Sequence, residues 1–163
     1  MDLLDVATRF SEKGRFGPIH CGASLPELAV TMGEPQRIGV EKHRRRNVWP
    51  RWFGFGDVRL EVCSCQEIDL ILLPVRSRET VKVPGFGGLP TLPRVTLTRF
   101  DRLVAGEVDD DQAGAVYLRT RPAKDVQVSF AFTARESWDG PVLDDPVLDQ
   151  VVATRSGHEC VPA

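Results

Sequence analysis

Apolar residues recur along this chain with two different periods, and the switches between them mark out the elements. Leu3, Leu4, Ala7 and Phe10 fall on one helical face ahead of Gly14, which predicts a short amphipathic helix over residues 2–13. The following GRFGPIHCG holds three glycines and a proline and reads as loop, with a short extended piece at 19–21. A second helix is predicted at SLPELAVTM. Ser24 and Glu27 have the spacing of a capping box, Pro26 sits in the first turn, and Gly33 and Pro35 stop the helix.

After the basic connector QRIGVEKHRRRN the period shortens to two. Arg51–Phe55 and Val58–Cys63 flank Gly56-Asp57, the pattern of a two-residue hairpin. In the second run Val58, Leu60 and Val62 point one way, Arg59 and Glu61 the other. The next run, EIDLILLPV, is apolar on both faces, which predicts a central or covered strand.

VPGFGGLPTLP, residues 83–93, is rich in glycine and proline and predicts a junction between two halves. Beyond it, Leu97, Phe100, Leu103 and Val104 form a helical stripe with Thr96 or Thr98 as N-cap and Gly106 at its end. EVDDDQAG reads as an acidic loop. AVYLRTRP and DVQVSFAFTA alternate as strands joined by a turn at RPAKD. DDPVLDQVVATR fits two readings: Asp145 and Pro146 suit a helix start, while the β-branched run suits a strand.

These elements predict an α+β fold, with short helices packed on antiparallel meander sheet. We read one globular domain over 1–163, with sub-halves 1–82 and 94–155 that each run helix then hairpin. A chain of 163 residues buries about 70% of its unfolded surface and folds without a staple.

The net charge of −2 is too small to drive nucleic-acid or membrane binding by bulk electrostatics. The short apolar run at the N-terminus is not a signal peptide's core, so a cytoplasmic protein is expected. Arginine outnumbers lysine 17 to 4, which favours planar bidentate contacts if it is more than genome composition.

No G-x-S-x-G, H-E-x-x-H or P-loop pattern occurs, and His20, His43 and His158 each lie in a segment read as loop or terminus. No catalysis, cofactor or metal is therefore expected. One alternative is a metal or small-ligand module built on Cys63, Cys65 and a histidine, with His20-Cys21 and His158-x-Cys160 as further donors; another is an enzyme whose site is dispersed along the chain and assembled only by folding. The C-x-C spacing of the first is tighter than the C-x₂₋₄-C usual for zinc. HRRRNVWPRWFGF mixes bases and aromatics, yet reads as a connector entering a core hairpin rather than a nucleic-acid site.

Binding to another protein fits best. Trp49, Trp52, Phe53 and Phe55 cannot all be buried on one strand face, and tryptophan is enriched at interface hot spots. Asp109, Asp110 and Asp111 form a second candidate contact, suited to a basic cleft.

Gly22-Ala23-Ser24-Leu25-Pro26-Glu27-Leu28, Met32-Gly33-Glu34-Pro35 and Phe55-Gly56-Asp57-Val58-Arg59-Leu60 together resemble small bacterial proteins grouped with the immunity proteins of polymorphic toxin systems. The helix-then-meander order also resembles the α+β repeats of β-lactamase-inhibitor-like modules. The likeness covers residues 17–75, with a fainter echo over 94–134; Lys124-Asp125-Val126 stands where that family carries a Gly-Val element. The resemblance implies a toxin domain as the partner and carries over no functional residues.

Overall fold

The computed structural model of the chain describes residues 1–38, 49–110, 114–135 and 139–160. Helix α1 (Leu3–Lys13) begins at Asp2 with a reciprocal capping box: Asp5 N donates to Asp2 Oδ1 at 2.9 Å and Asp2 N to Asp5 Oδ2 at 3.0 Å. Gly14 closes it in the left-handed region. The pair β1 (Arg15–Phe16) and β2 (Ile19–His20) follows. Phe16 stacks on Phe10 of α1 at 3.9 Å between ring centres. Helix α2 (Leu25–Met32) is capped by Ser24, whose Oγ accepts from Glu27 N at 3.5 Å. The backbone of Ser24 itself bridges to Glu67.

Strands β3 (Gln36–Ile38), β4 (Arg51–Phe55), β5 (Val58–Val62) and β6 (Ile68–Pro74) form an antiparallel meander. A hairpin of β7 (Thr80–Val83) and β8 (Gly87–Pro90) comes next, then helix α3 (Leu97–Asp101). A second meander is built from β9 (Glu107–Asp110), β10 (Ala115–Ala123), β11 (Val126–Thr133) and β12 (Val147–Arg155). The two meanders join by antiparallel pairing of β6 with β12, giving one eight-stranded sheet of order β3-β4-β5-β6-β12-β11-β10-β9. Each half thus contains a short helix followed by four strands, and the two meanders meet tail to tail, the last strand of each forming the β6–β12 seam.

Most of the expected elements stand where the pattern placed them. The undecided segment near the C-terminus is a strand, β12, because its alternation of buried Val151 and Ala153 with half-buried Gln150, Val152 and Thr154 matches a sheet face. The expected acidic loop begins instead as strand β9, paired to β10 from Arg119 to Val116. Helix α3 is capped by Thr96, but it ends at Asp101 and leaves Leu103 exposed. Gly106 serves packing rather than helix termination: a Cβ there would lie 2.6 Å from Leu118 Cδ2. Part of the expected junction, 83–93, is strand β8, whose Leu89 is buried in the core.

One continuous core lies on a single face of the sheet. It takes Leu4, Ala7 and Phe10 from α1, Leu25 and Leu28 from α2, Phe100 from α3, and Val81, Val83 and Leu89 from the β7–β8 hairpin. Phe100 packs on Phe130 and Phe132 at 4.6 and 5.7 Å. Helix α1 sits over the second meander: Thr120 Oγ1 donates to Ser11 O at 3.0 Å. The N-terminal element therefore covers strands of the opposite half. Among the described residues no buried polar side-chain atom lacks a hydrogen-bond partner, and no helix is long and apolar enough to cross a membrane.

The Gly56-Asp57 turn does more than reverse the chain. Phe55 pairs with Val58, so the loop is two residues long. Asp57 then clasps the β7 strand, accepting from Arg78 Nη1 at 2.8 Å and from the Lys82 amide at 2.6 Å. Gly56 has φ 58°, and an added Cβ would lie 2.6 Å from Lys82 O. Gly17 has nearly the same φ, 57°, with open space around it. Gly17→Ala is expected to cost about 1 kcal/mol for the left-handed backbone alone, and Gly56→Ala about 3 kcal/mol because the clash adds to it. Urea unfolding of the two variants checks this; equal losses would mean that the Lys82 carbonyl gives way.

Candidate metal centre and contact face

The β5–β6 connection carries Cys63-Ser64-Cys65. Its backbone is tightly turned: Gln66 N donates to Cys63 O at 2.9 Å and Cys63 N to Glu67 O at 3.0 Å. Gln66 takes φ 62°, and the pairing slips by one residue between Glu61 and Val62. A bulge and a left-handed residue together aim both thiols to the same side. The turn is also anchored from α2, since Leu25 N donates to Gln66 O at 2.9 Å.

Strand β12 lies beside β6 and runs antiparallel to it, so its end arrives next to that turn. Gly157, at φ 74°, redirects the chain after β12, and His158 and Cys160 swing towards the thiols. His158 Nε2 lies 3.1 Å from Cys65 Sγ and 3.6 Å from both Cys63 Sγ and Cys160 Sγ. Cys63 and Cys65 sulfurs are 2.9 Å apart, Cys65 and Cys160 sulfurs 3.4 Å. All four donor atoms lie within 4.8 Å of one another, and all four cysteines of the chain are free thiols.

The thiols polarise one another. Hydrogen bonds from the Ser64 hydroxyl, the Cys65 backbone and the neighbouring thiols pull Cys160 down to about 6. Cys65 is pushed up to about 12, first by its hydrogen bond with Cys63. Cys21 stands apart: burial pushes it up to about 12, and its thiol donates to Asp69 O at 3.8 Å. His20, exposed with Nδ1 on Cys21 O, is also outside the cluster; His43 lies outside the described residues.

Arg155 borders the cluster and holds two carboxylates, Glu67 Oε2 and Asp69 Oδ1, each at 2.8 Å. Its side chain is only 9% exposed. The guanidinium hydrogen bond keeps the Glu67 carboxyl below its ordinary value.

The aromatic and acidic candidates divide between the two faces of the sheet. Phe53 and Phe55 point into the core and are 8% and 7% exposed, so neither is available to a partner. Both sit opposite apolar residues of β5, where the core needs bulk. Trp49 packs partly against the core under the Arg51 guanidinium, 4.3 Å from the ring centre. Trp52 lies on the other face. There it leads a row of paired residues, Glu61, Leu70, Thr154 and Gln127. The next row holds Gly54, Arg59, Leu72, Val152, Ser129 and Arg119.

Asp109 belongs to this same open face at its far side, opposite Tyr117 and bonded to Arg119 at 2.9 Å. Asp110 is exposed on the edge strand, and Asp111 lies outside the described residues. Six interstrand steps of ~4.8 Å separate Trp52 from Asp109, roughly 29 Å. Trp52, Leu70, Leu72, Val152 and Tyr117 are all half-buried and make no part of the core. No family model matches the chain, and no curated protein or solved structure matches it.

Arg155→Met is expected to cost about 1 kcal/mol at neutral pH. This is less than the 3–5 of a fully buried pair, because Glu67 and Asp69 are about a third exposed and screened. A lowered carboxyl stabilises the fold above its unfolded pKa and loses that contribution as pH falls through the folded pKa. The difference between wild type and Arg155→Met in urea titrations should therefore shrink as the pH is taken below the ordinary glutamate range.

Proposed function

We propose that this chain is a non-catalytic protein-binding protein that engages its partner through the open face of its sheet. The observation that carries this reading is the strip of Trp52, Leu70, Leu72, Val152 and Tyr117, apolar and half-buried, on the face to which none of the core-forming helices contributes. Arg59, Glu61, Arg119 and Asp109 punctuate the strip with charges of both signs. An apolar centre with charged neighbours is the composition of a protein interface, and Trp, Tyr and Arg are its usual anchors. A face roughly 29 Å across is the size that a partner covering about 800 Å² would occupy.

The most concrete form of this reading is a toxin-neutralising immunity protein. It is supported by the resemblance over residues 17–75 and by the repetition of helix-then-meander in the two halves. Rigid strands make a preorganised platform, which lowers the ordering cost of association.

The reading is tested with the toxic domain of a secreted protein encoded beside this gene, co-expressed with wild type and variants. Wild type is expected to suppress toxicity. Trp52→Ala combined with Leu72→Asp is expected to weaken binding by about 30-fold, the ~2 kcal/mol of one hot spot. Val30→Glu, 89% exposed on α2 away from this face, should bind as wild type. Binding untouched by the double substitution, with both variants folded by circular dichroism, overturns the assignment of the face. Absence of any protection overturns the immunity role.

A further inference from the structure

We propose that Cys63, Cys65, His158 and Cys160 bind one zinc ion in a closed Cys₃His site that fastens the segment after β12 to the β5–β6 turn. The proposal does not depend on the contact face, which lies elsewhere on the sheet.

Three thiols and one imidazole are a soft donor set, suited to zinc and poorly suited to magnesium or calcium, which require oxygen. Four protein donors complete a tetrahedron and leave no open position, the mark of a structural rather than a catalytic site. With Zn–S bonds of ~2.3 Å, the sulfurs of such a tetrahedron stand roughly 3.8 Å apart. The separations here, 2.9 to 3.6 Å among the close pairs and all within 4.8 Å, describe a cage of that size.

The imidazole presents Nε2 to all three sulfurs. Cys63 is buried and Cys65 exposed, so the ion would sit at the surface with an entry path from solvent. Glu67 Oε2 lies 3.6 Å from His158 Nε2 and 3.9 Å from Cys65 Sγ. It is already engaged by Arg155, which leaves the sulfurs and imidazole as the ligands.

The donors arrive as two short arms, C-x-C and H-x-C, separated by about 95 residues. Neither arm alone closes a tetrahedron. The pairing of β6 with β12 brings them together, so binding and native topology are linked. Ordinary thiols placed for packing have no reason to converge from both segments on one histidine nitrogen.

The test is the metal content of the full chain, expressed with zinc in the medium and purified in reductant without chelator. Native mass spectrometry is expected to show one zinc per chain, and elemental analysis a matching ratio. Cys160→Ser and His158→Ala should each lower retained zinc at least tenfold. Cys21→Ser, outside the cluster, should retain it, and His158→Cys should restore a four-ligand site. Cobalt(II) added to the metal-free chain should give the intense visible bands of tetrahedral thiolate coordination, a readout that stands even if a ligand variant fails to fold. A chain that comes through this purification metal-free, or shows no cobalt bands, overturns the proposal. Zinc held undiminished by Cys160→Ser, or a disulfide among the three thiols of the reduced chain, overturns it as well.

Discussion

The pairing of β6 with β12 is the contact on which the rest of the molecule depends. It runs from Gln150 opposite Pro74 to Thr154 opposite Leu70, and it is extended by the Val75 and Arg76 amides, both donating to Asp149 O at 2.9 Å. Without it there are two four-stranded meanders, each with an apolar edge. With it there is one sheet, a core shared by helices of both halves, and a continuous outer face. The central place of β6 explains its composition: Ile68, Ile71 and Leu73 are buried on the core side, while Leu70 and Leu72 form the middle of the open face.

The same contact sets the site at the sheet's end. Strand β12 delivers Arg155 to Glu67 and Asp69, and three residues later His158 to the thiols of the β5–β6 turn. Arg155 is thus held by carboxylates on both sides of the turn's exit, and the turn in turn is pinned to α2 through Leu25 and Gln66. The outer strands serve a different need. Strand β9 bears Glu107, Asp109 and Asp110, and charges along an edge discourage pairing with a further strand.

How much of this could be read beforehand follows from the range of each interaction. Capping, period and turn chemistry are local, so α2, the β4–β5 hairpin and the two-faced β6 were legible from SLPEL, FGFGDVRL and EIDLILLPV. The β12 segment was ambiguous because Asp145-Pro146 carries a local helix signal; pairing on both sides overrides it. The aromatic cluster divided as alternation requires, Phe53 and Phe55 inward and Trp52 outward, but which face was covered depended on helices distant in sequence. The thiol cluster was legible only as fragments. Cys63, Cys65, His158 and Cys160 are two unremarkable pairs until the seam between β6 and β12 is known, which is why no metal was expected from spacing alone.

The order of the strands along the chain has a consequence for biosynthesis. As the polypeptide leaves the ribosome, the first meander is complete when β6 emerges, yet its natural neighbour β12 follows only after the β7–β8 hairpin, α3 and three further strands. During that interval the nascent chain presents Leu70, Ile71, Leu72 and Leu73 along a free backbone edge, a template for unwanted pairing with other chains. Translation speed and chaperone access between these two points would then govern yield more strongly than the stability of the finished molecule.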